Sequence, residues 1–176
     1  LLGLDLDQAR TVAAAAAQGD VCEAANDNDP AQVVISGHRS AVERALDIAK
    51  EHGAKRAILL PVSAPFHSSL MAPAARVMAE ALAGVEVRQP VVPLVANVRA
   101  TPVQDPDEIR NLLVEQVTGA VRWRESVLWM AGAGVTEAWE IGAGKALSGM
   151  IRRISKDMET RSVATPEDVR ALVQVG

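Results

Sequence analysis

The chain has 176 residues, 49% of them hydrophobic, and a formal net charge of −4. That length suits one domain or two small subdomains, and the hydrophobic content excludes a disordered chain. Aromatic residues are only 2%, and no block of like charge occurs, which argues against a nucleic-acid partner: bases have few platforms to stack on and phosphates no basic stripe to follow. Asp5 and Asp7 precede an alanine-rich run, residues 9–17, that reads as a helix ended at Gly19. Residues 21–25 read as a strand, Asn26 to Pro30 as a turn by composition, and residues 32–36 as a second strand closed by Gly37. Ser40 is expected to cap a helix with Val42, Ala45, Leu46 and Ala49 on its apolar face, ending near Gly53. Residues 57–62 read as a third, buried strand.

Leu70, Ala74, Val77, Met78, Ala81 and Leu82 recur at helical spacing and are expected to form the buried face of the next helix. Then come a strand at 91–95, a helix at 106–116 with Asp105 as N-cap, and a helix at 124–133. A short strand at 138–141 and a helix at 146–154 follow. A last strand at 161–164 and a last helix at 166–173, capped by Thr165, complete the pattern. Residues 1–62 therefore read helix, strand, strand, helix, strand. One further strand ahead of Leu1 would make this the βαββαβ ferredoxin-like arrangement. The alternation after residue 62 predicts a mainly parallel sheet covered by helices. The expected fold class is α/β, with a small ferredoxin-like subdomain at 1–62 and an α/β-hydrolase-like portion at 63–176.

The single Cys22 excludes an internal disulfide and a cysteine-rich metal site, and its strand context reads as a small half-buried thiol. His38, His52 and His67 lack metal-ligand spacing. No apolar run approaches the ~20 residues of a membrane span, and a reducing cytoplasm fits. Lys55 with Arg56, and Arg152 with Arg153, are basic pairs that read first as solvated surface. Gly37-His38-Arg39-Ser40-Ala41 imitates a nucleophile elbow but misses the Gly-x-Ser-x-Gly spacing. Gly142-Ala143-Gly144 matches no phosphate-loop spacing and reads as a tight strand-to-helix turn.

His67 follows Pro65 at the join between the strand at 57–62 and the next helix. By spacing alone it is either a general base on a stiff turn or a partly buried histidine with one hydrogen bond. Gln116 falls in the stripe of Ile109, Leu112, Leu113 and Val117, where a buried amide needs a partner and an edge amide meets water. Asn26, Asn28 and Gln32 sit in or beside the turn, where asparagines commonly serve the backbone. Asn97 follows an apolar run as either a strand terminator or a residue at the ligand-gathering end of a sheet.

Five stretches, in order, resemble the malonyl-coenzyme A:acyl carrier protein transacylases. Asn26-Asp27-Asn28-Asp29-Pro30-Ala31-Gln32 is similar to that family's Asn-x-Asn-x-Pro-x-Gln, and Pro65-Phe66-His67-Ser68 to its active-site histidine motif. Val92 to Val98 resembles the strand after the histidine helix, and Gln116 with Val121-Arg122-Trp123 its Gln and Pro-Val-x-Trp. Glu140-Ile141-Gly142-Ala143-Gly144 resembles its Glu-x-Gly-Pro-Gly, with Ala143 in place of proline. The family's Gly-His-Ser-x-Gly nucleophile segment is absent from these 176 residues, as is its malonyl-binding arginine.

The resemblance implies a C-terminal portion of an [acyl-carrier-protein] S-malonyltransferase of fatty acid synthesis. Its substrates would be malonyl-CoA and phosphopantetheinylated acyl carrier protein, with no cofactor. His67 would be the general base for a serine on an N-terminal segment, and the carbonyl of Gln116 would hold the other ring nitrogen. Asn26, Asn28, Gln32, Phe66 and Asn97 would face the acyl or pantetheine group. Alternatives are an acyltransferase domain of a polyketide synthase, or a non-catalytic fragment that binds a carrier protein or partner chain. The chain alone is expected to be inactive. Expected partners are acyl carrier protein, a coenzyme A thioester and the serine-bearing segment, with neither nucleic acid nor membrane.

Overall fold

The computed structural model describes residues 1–173. It forms two compact units, Leu1–Ser126 and a second from Val127 onward. The subdomain boundary expected at residue 62 lies inside the first unit.

In the first unit, α1 (Leu6–Ala17) begins with a capping box: Asp5 accepts from the Gln8 backbone N–H, and the Gln8 side chain accepts from the Asp5 N–H. Strands β1 (Cys22–Asp29) and β2 (Gln32–Gly37) pair antiparallel, and α2 (Arg39–Glu51) follows. Ala41, Ala45 and Ala49 recur every fourth residue on α2 and are fully buried. They meet Val12, Ala13 and Ala16 of α1, with Leu4 and Cys22, in the main core. Alanine on both helices keeps this core thin and lets the backbones approach closely. Burial pushes the Cys22 thiol up, so it stays a protonated packing group.

Arg44 of α2 reaches across to α1. Its guanidinium donates to the Ala16 and Ala17 carbonyls, at 2.9 Å each, and to Asp20 at 3.0 Å. It thereby adds a donor to the last two carbonyls of α1, where Ala17 also accepts from the Asp20 N–H at 2.8 Å. Ser40 donates to the same Asp20 oxygen at 2.8 Å. It lies inside α2, and His38 occupies the N-cap position, so the expected Ser40 cap is not formed. Donation by Ser40, then by Arg44, holds the Asp20 carboxyl below its usual range. A carboxyl lowered in the folded state adds stability above its unfolded pKa and loses it as pH falls through the folded one. The urea midpoint should therefore drop on acidification below the ordinary carboxylate range. In Asp20→Asn that part of the drop should disappear, leaving a flatter profile.

Residues 26–29 of the expected turn instead continue β1, and only Pro30 lies in the turn that joins it to β2. Asn26 pairs with Val34 and Asp27 with Val33, and register shifts at Ala24/Asn26 and Asp27/Asp29 mark two bulges. Bulges absorb extra residues and re-aim side chains, so a polar composition that imitates a turn can be carried within a strand. Gly37 ends β2, and this position must be glycine because a Cβ there would lie 2.0 Å from the Val21 carbonyl oxygen. Leu2 makes antiparallel bridges to both Gln32 and Arg56.

The strand expected at 57–62 does not form. Ile58, Leu59 and Leu60 lie outside any helix or strand and are nearly half exposed, because no strand among the described residues runs beside them to pair their backbone groups. After a single 3-10 turn (Ser69–Met71), α3 (Ala72–Ala83) forms where predicted, but its expected buried face is not buried: Val77 is 64% exposed. A short hairpin follows, β3 (Leu94–Ala96) with β4 (Thr101–Val103); Val91 and Val92 lie outside it and are exposed. Then comes α4 (Pro106–Thr118), whose Asp105 cap accepts from the Glu108 N–H at 2.8 Å. A second small core gathers Ala96, Val103, Ile109 and Leu112. The first turn of α5 (Trp123–Gly132) ends the unit.

The second unit holds the rest of α5, then β5 (Glu137–Ile141), α6 (Ala146–Ile154), β6 (Glu159–Val163) and α7 (Pro166–Val173). Strands β5 and β6 pair in parallel, a βαβ crossover through α6. Glu140 accepts from the Leu147 and Ser148 N–H groups and so caps α6 across the Gly142–Gly144 turn, where both glycines have positive φ. Asp168 and Thr165 cap α7 reciprocally. The content is α/β, but among the described residues beyond 62 the expected mainly parallel sheet is replaced by two two-stranded sheets, β3–β4 antiparallel and β5–β6 parallel.

Candidate active site

His67 stands on the coil between Pro65 and the 3-10 turn with φ +56°, in the left-handed region. Histidine is among the few side chains enriched there, but the conformation persists only where the surroundings over-determine it. Three contacts do so. The fully buried Ser68 hydroxyl donates to the Pro65 carbonyl at 2.7 Å. His67 Nδ1 lies 3.0 Å from the Gln116 carbonyl oxygen. Glu23 of β1 accepts from both the Ser69 N–H, at 2.9 Å, and the Ser69 hydroxyl, at 2.8 Å.

The Gln116 contact fixes the tautomer. A carbonyl oxygen only accepts, so in the neutral ring Nδ1 carries the hydrogen and Nε2 keeps its lone pair. Gln116 holds its own position through its side chain, whose Nε2 donates to the Gly119 carbonyl at 2.9 Å and, more weakly, to Ala120 at 3.4 Å. Gly119 must be glycine for this loop to pass: a Cβ there would lie 2.6 Å from the Val98 side chain and 2.9 Å from the Glu115 carbonyl. Just beyond, Val121 bridges β1 in parallel, donating to the Ala25 carbonyl and accepting from the Asp27 N–H, both at 2.8 Å.

A cleft of about 1150 Å³ opens beside His67 within the first unit. Asn26, Gln32 and Phe66 line it together with His67, against a largely apolar wall that includes Ile58 and Leu60. Phe66 is half exposed. Gln116 acts from behind, through its backbone. Asn28 and Asn97 do not line the cleft: Asn28 is buried. Asn97 serves the start of α5, its carbonyl accepting from the Arg122 N–H at 2.9 Å and its amide oxygen from the Ser126 hydroxyl at 3.4 Å. Among the described residues no group of His, Cys, Asp and Glu is arranged to hold a metal ion, and no helix is long and apolar enough to cross a membrane. Glu23 is the residue that sequence reasoning passed over; a lone glutamate on a half-buried strand carries no local sign of a partner 46 residues away.

No family model matches the chain. Among curated proteins, it is 39% identical over 175 residues to the malonyl CoA-acyl carrier protein transacylase of Bacillus subtilis and 41% identical to that of Escherichia coli. Each alignment covers 99% of this chain. The chain belongs to the malonyl CoA-acyl carrier protein transacylase family. It spans just over half the length of these transacylases, 55% and 57%. The crystal structure of an acyl-carrier-protein-S-malonyltransferase from Bartonella henselae matches 99% of the chain at 50% identity and a TM-score of 0.93, over 56% of its own length. A malonyl-transacylase solved in complex with a type II PKS acyl-carrier protein matches the whole chain at 38% identity and a TM-score of 0.94, over 57% of its own length.

Proposed function

We propose that this chain supplies the histidine side of a malonyl-transfer site, moving a malonyl group from coenzyme A to the phosphopantetheine thiol of acyl carrier protein. The observation that carries the reading is His67, its Nδ1 held on the Gln116 carbonyl and its ring on the wall of the cleft. A serine on a segment outside these 176 residues attacks the malonyl thioester carbonyl, and His67 Nε2 takes its proton. The tetrahedral intermediate expels the coenzyme A thiolate, which receives that proton from Nε2. In the second step the pantetheine thiol gives its proton to Nε2 and attacks the serine ester, and the departing serine oxygen takes the proton back. Imidazolium forms twice, and each time its Nδ1–H remains on the Gln116 carbonyl. This transfer uses no cofactor. Asn26, Gln32 and Phe66 face the acyl and pantetheine path. A cytoplasmic enzyme fits this chemistry.

On this reading residues 1–62 are the ferredoxin-like subdomain and residues 63–176 part of the hydrolase-like one. The bridges from Leu2 to both Gln32 and Arg56 support the first half of that division, since they put residues 1–3 where a central strand would lie. A second reading, a fragment that binds a carrier protein without catalysing transfer, is favoured by one observation: no Gly-x-Ser-x-Gly occurs in the chain.

The test is a denaturing intact mass after incubation with malonyl-CoA. The 176-residue chain alone should remain unmodified. A chimera with the serine-bearing portion of the Escherichia coli transacylase joined ahead of Leu1 should gain one malonyl group and pass it to the carrier protein. A chimera that folds but takes no malonyl group favours the non-catalytic reading, and labelling of the chain alone contradicts both.

A further inference from the structure

We infer that Glu23 is a positioning residue for His67, setting the tautomer and orientation of the ring from strand β1. The inference rests on the reading of His67 as the base, and on a geometry in which one strand indexes both halves of the histidine contact. At one point of β1, the Glu23 carboxylate takes both the N–H and the hydroxyl of Ser69, two residues beyond His67. A few residues along, Ala25 and Asp27 pair with Val121, directly after the Gly119 and Ala120 carbonyls that anchor the Gln116 side chain. The ring and the carbonyl that orients it are 49 residues apart in sequence, yet both are referenced to the segment 23–27.

Two properties make Glu23 more than an incidental cap. First, His67 sits at positive φ, so the turn stores strain and relaxes when a restraint is removed. Of the three restraints, Ser68 to Pro65 is internal to the turn and moves with it. Only the Glu23 and Gln116 contacts tie the turn to distant elements. Second, both donations to Glu23 reach a carboxylate, and hydrogen bonds to an ionised acceptor are roughly twice as strong as neutral ones. Releasing Ser69 frees the turn to relax, and the Nδ1 contact to Gln116 lengthens or breaks. The ring then loses the contact that distinguishes its two nitrogens among the described residues.

The experiment uses the 176-residue chain and reads the ring nitrogens of His67 by nitrogen-15 NMR at a pH where the ring is neutral. The His67 signals are assigned by their absence in His67→Asn. His38 is an internal control of opposite sense, because its Nδ1 accepts from the Val21 N–H at 2.9 Å. In the parent chain His67 should show the single Nδ1–H tautomer. In Glu23→Ala that single-tautomer signature should be lost, both forms appearing, while His38 is unchanged. Glu23→Gln should restore it: the amide oxygen accepts from the Ser69 N–H, and the amide nitrogen donates to the hydroxyl, which can act as acceptor. A Glu23→Ala chain that folds and keeps the parent His67 signature overturns the inference, as does a Glu23→Gln chain that behaves like Glu23→Ala. Should Glu23→Ala fail to fold, Ser69→Ala decides: it removes the hydroxyl contact alone and should give a partial loss, and an unchanged signature there overturns the inference. The readout needs no transfer activity. Failure of the chimera to be malonylated removes the functional reading, whereas an unmoved tautomer removes only the role of Glu23.

Discussion

Replacing His67 with alanine in the chimera should lower the turnover of malonyl transfer by about 1,000-fold, the middle of the range for losing a positioned general base. The loss should fall on kcat, with KM for malonyl-CoA little changed, because the ring exchanges a proton in both half-reactions and is one of many groups that line the cleft. Without it, water must take the serine proton. The imidazolium whose Nδ1–H is held by the Gln116 carbonyl can no longer form. His67→Gln is the sharper control: it keeps a polar group of similar reach but cannot take up a proton, and it should be as slow as alanine. Steady-state rates with carrier protein as acceptor check both. A fall of less than about tenfold would place the base elsewhere, since general-base removal costs at least about a hundredfold.

Much of the helix pattern was legible because helix ends are written locally. Asp5 with Gln8, Asp105 before Pro106, and Thr165 with Asp168 each announce a start within four residues, and each cap forms. Strands are less legible because their neighbours lie far along the chain. Residues 57–62 carry a strand composition without a partner beside them, and Asn26 to Asp29 carry a turn composition inside a bulged ladder. Thr101–Val103 was missed because three residues containing Pro102 show no alternation. Ser40 misled for a related reason: a hydroxyl near a helix start reads as a cap, but Asp20 takes it from outside the helix. The site divides in the same way. His67 was visible from its turn, and Gln116 from its place in an apolar stripe, but their contact spans 49 residues and had no local sign; it was expected only through the resemblance. The Glu23 contact to Ser69, between two exposed-looking polar residues, left no trace at all.

The strand that organises the site also carries a buried ion pair, and breaking it should have the largest effect on stability. Asp27 of β1 is buried, its side chain 3% exposed, and it meets Arg124 in the first turn of α5. Arg124 Nε lies 3.0 Å from each carboxylate oxygen, and Nη2 lies 2.8 Å from one of them. The hydrogen bonds to Asp27 hold the guanidinium pKa above its usual value. Removing one member of a buried pair leaves an uncompensated charge, which costs about 3–5 kcal/mol when the site is fully dry. Arg124 is 29% exposed, so water reaches the vacated space and trims the loss. Arg124→Ala should therefore destabilise the chain by about 2–3 kcal/mol in urea unfolding, below the fully buried range. Arg124→Lys should recover only part of it, because an ammonium cannot grip both oxygens through a rigid fork. The double variant Arg124→Ala with Asp27→Asn should be more stable than Arg124→Ala alone, since the stranded charge is then gone; if it is less stable, the carboxylate was never the source of the cost. Because Asp27 is four residues from Glu23 on the same strand, the Arg124→Ala loss should be accompanied by loosening of β1 that reaches the histidine turn.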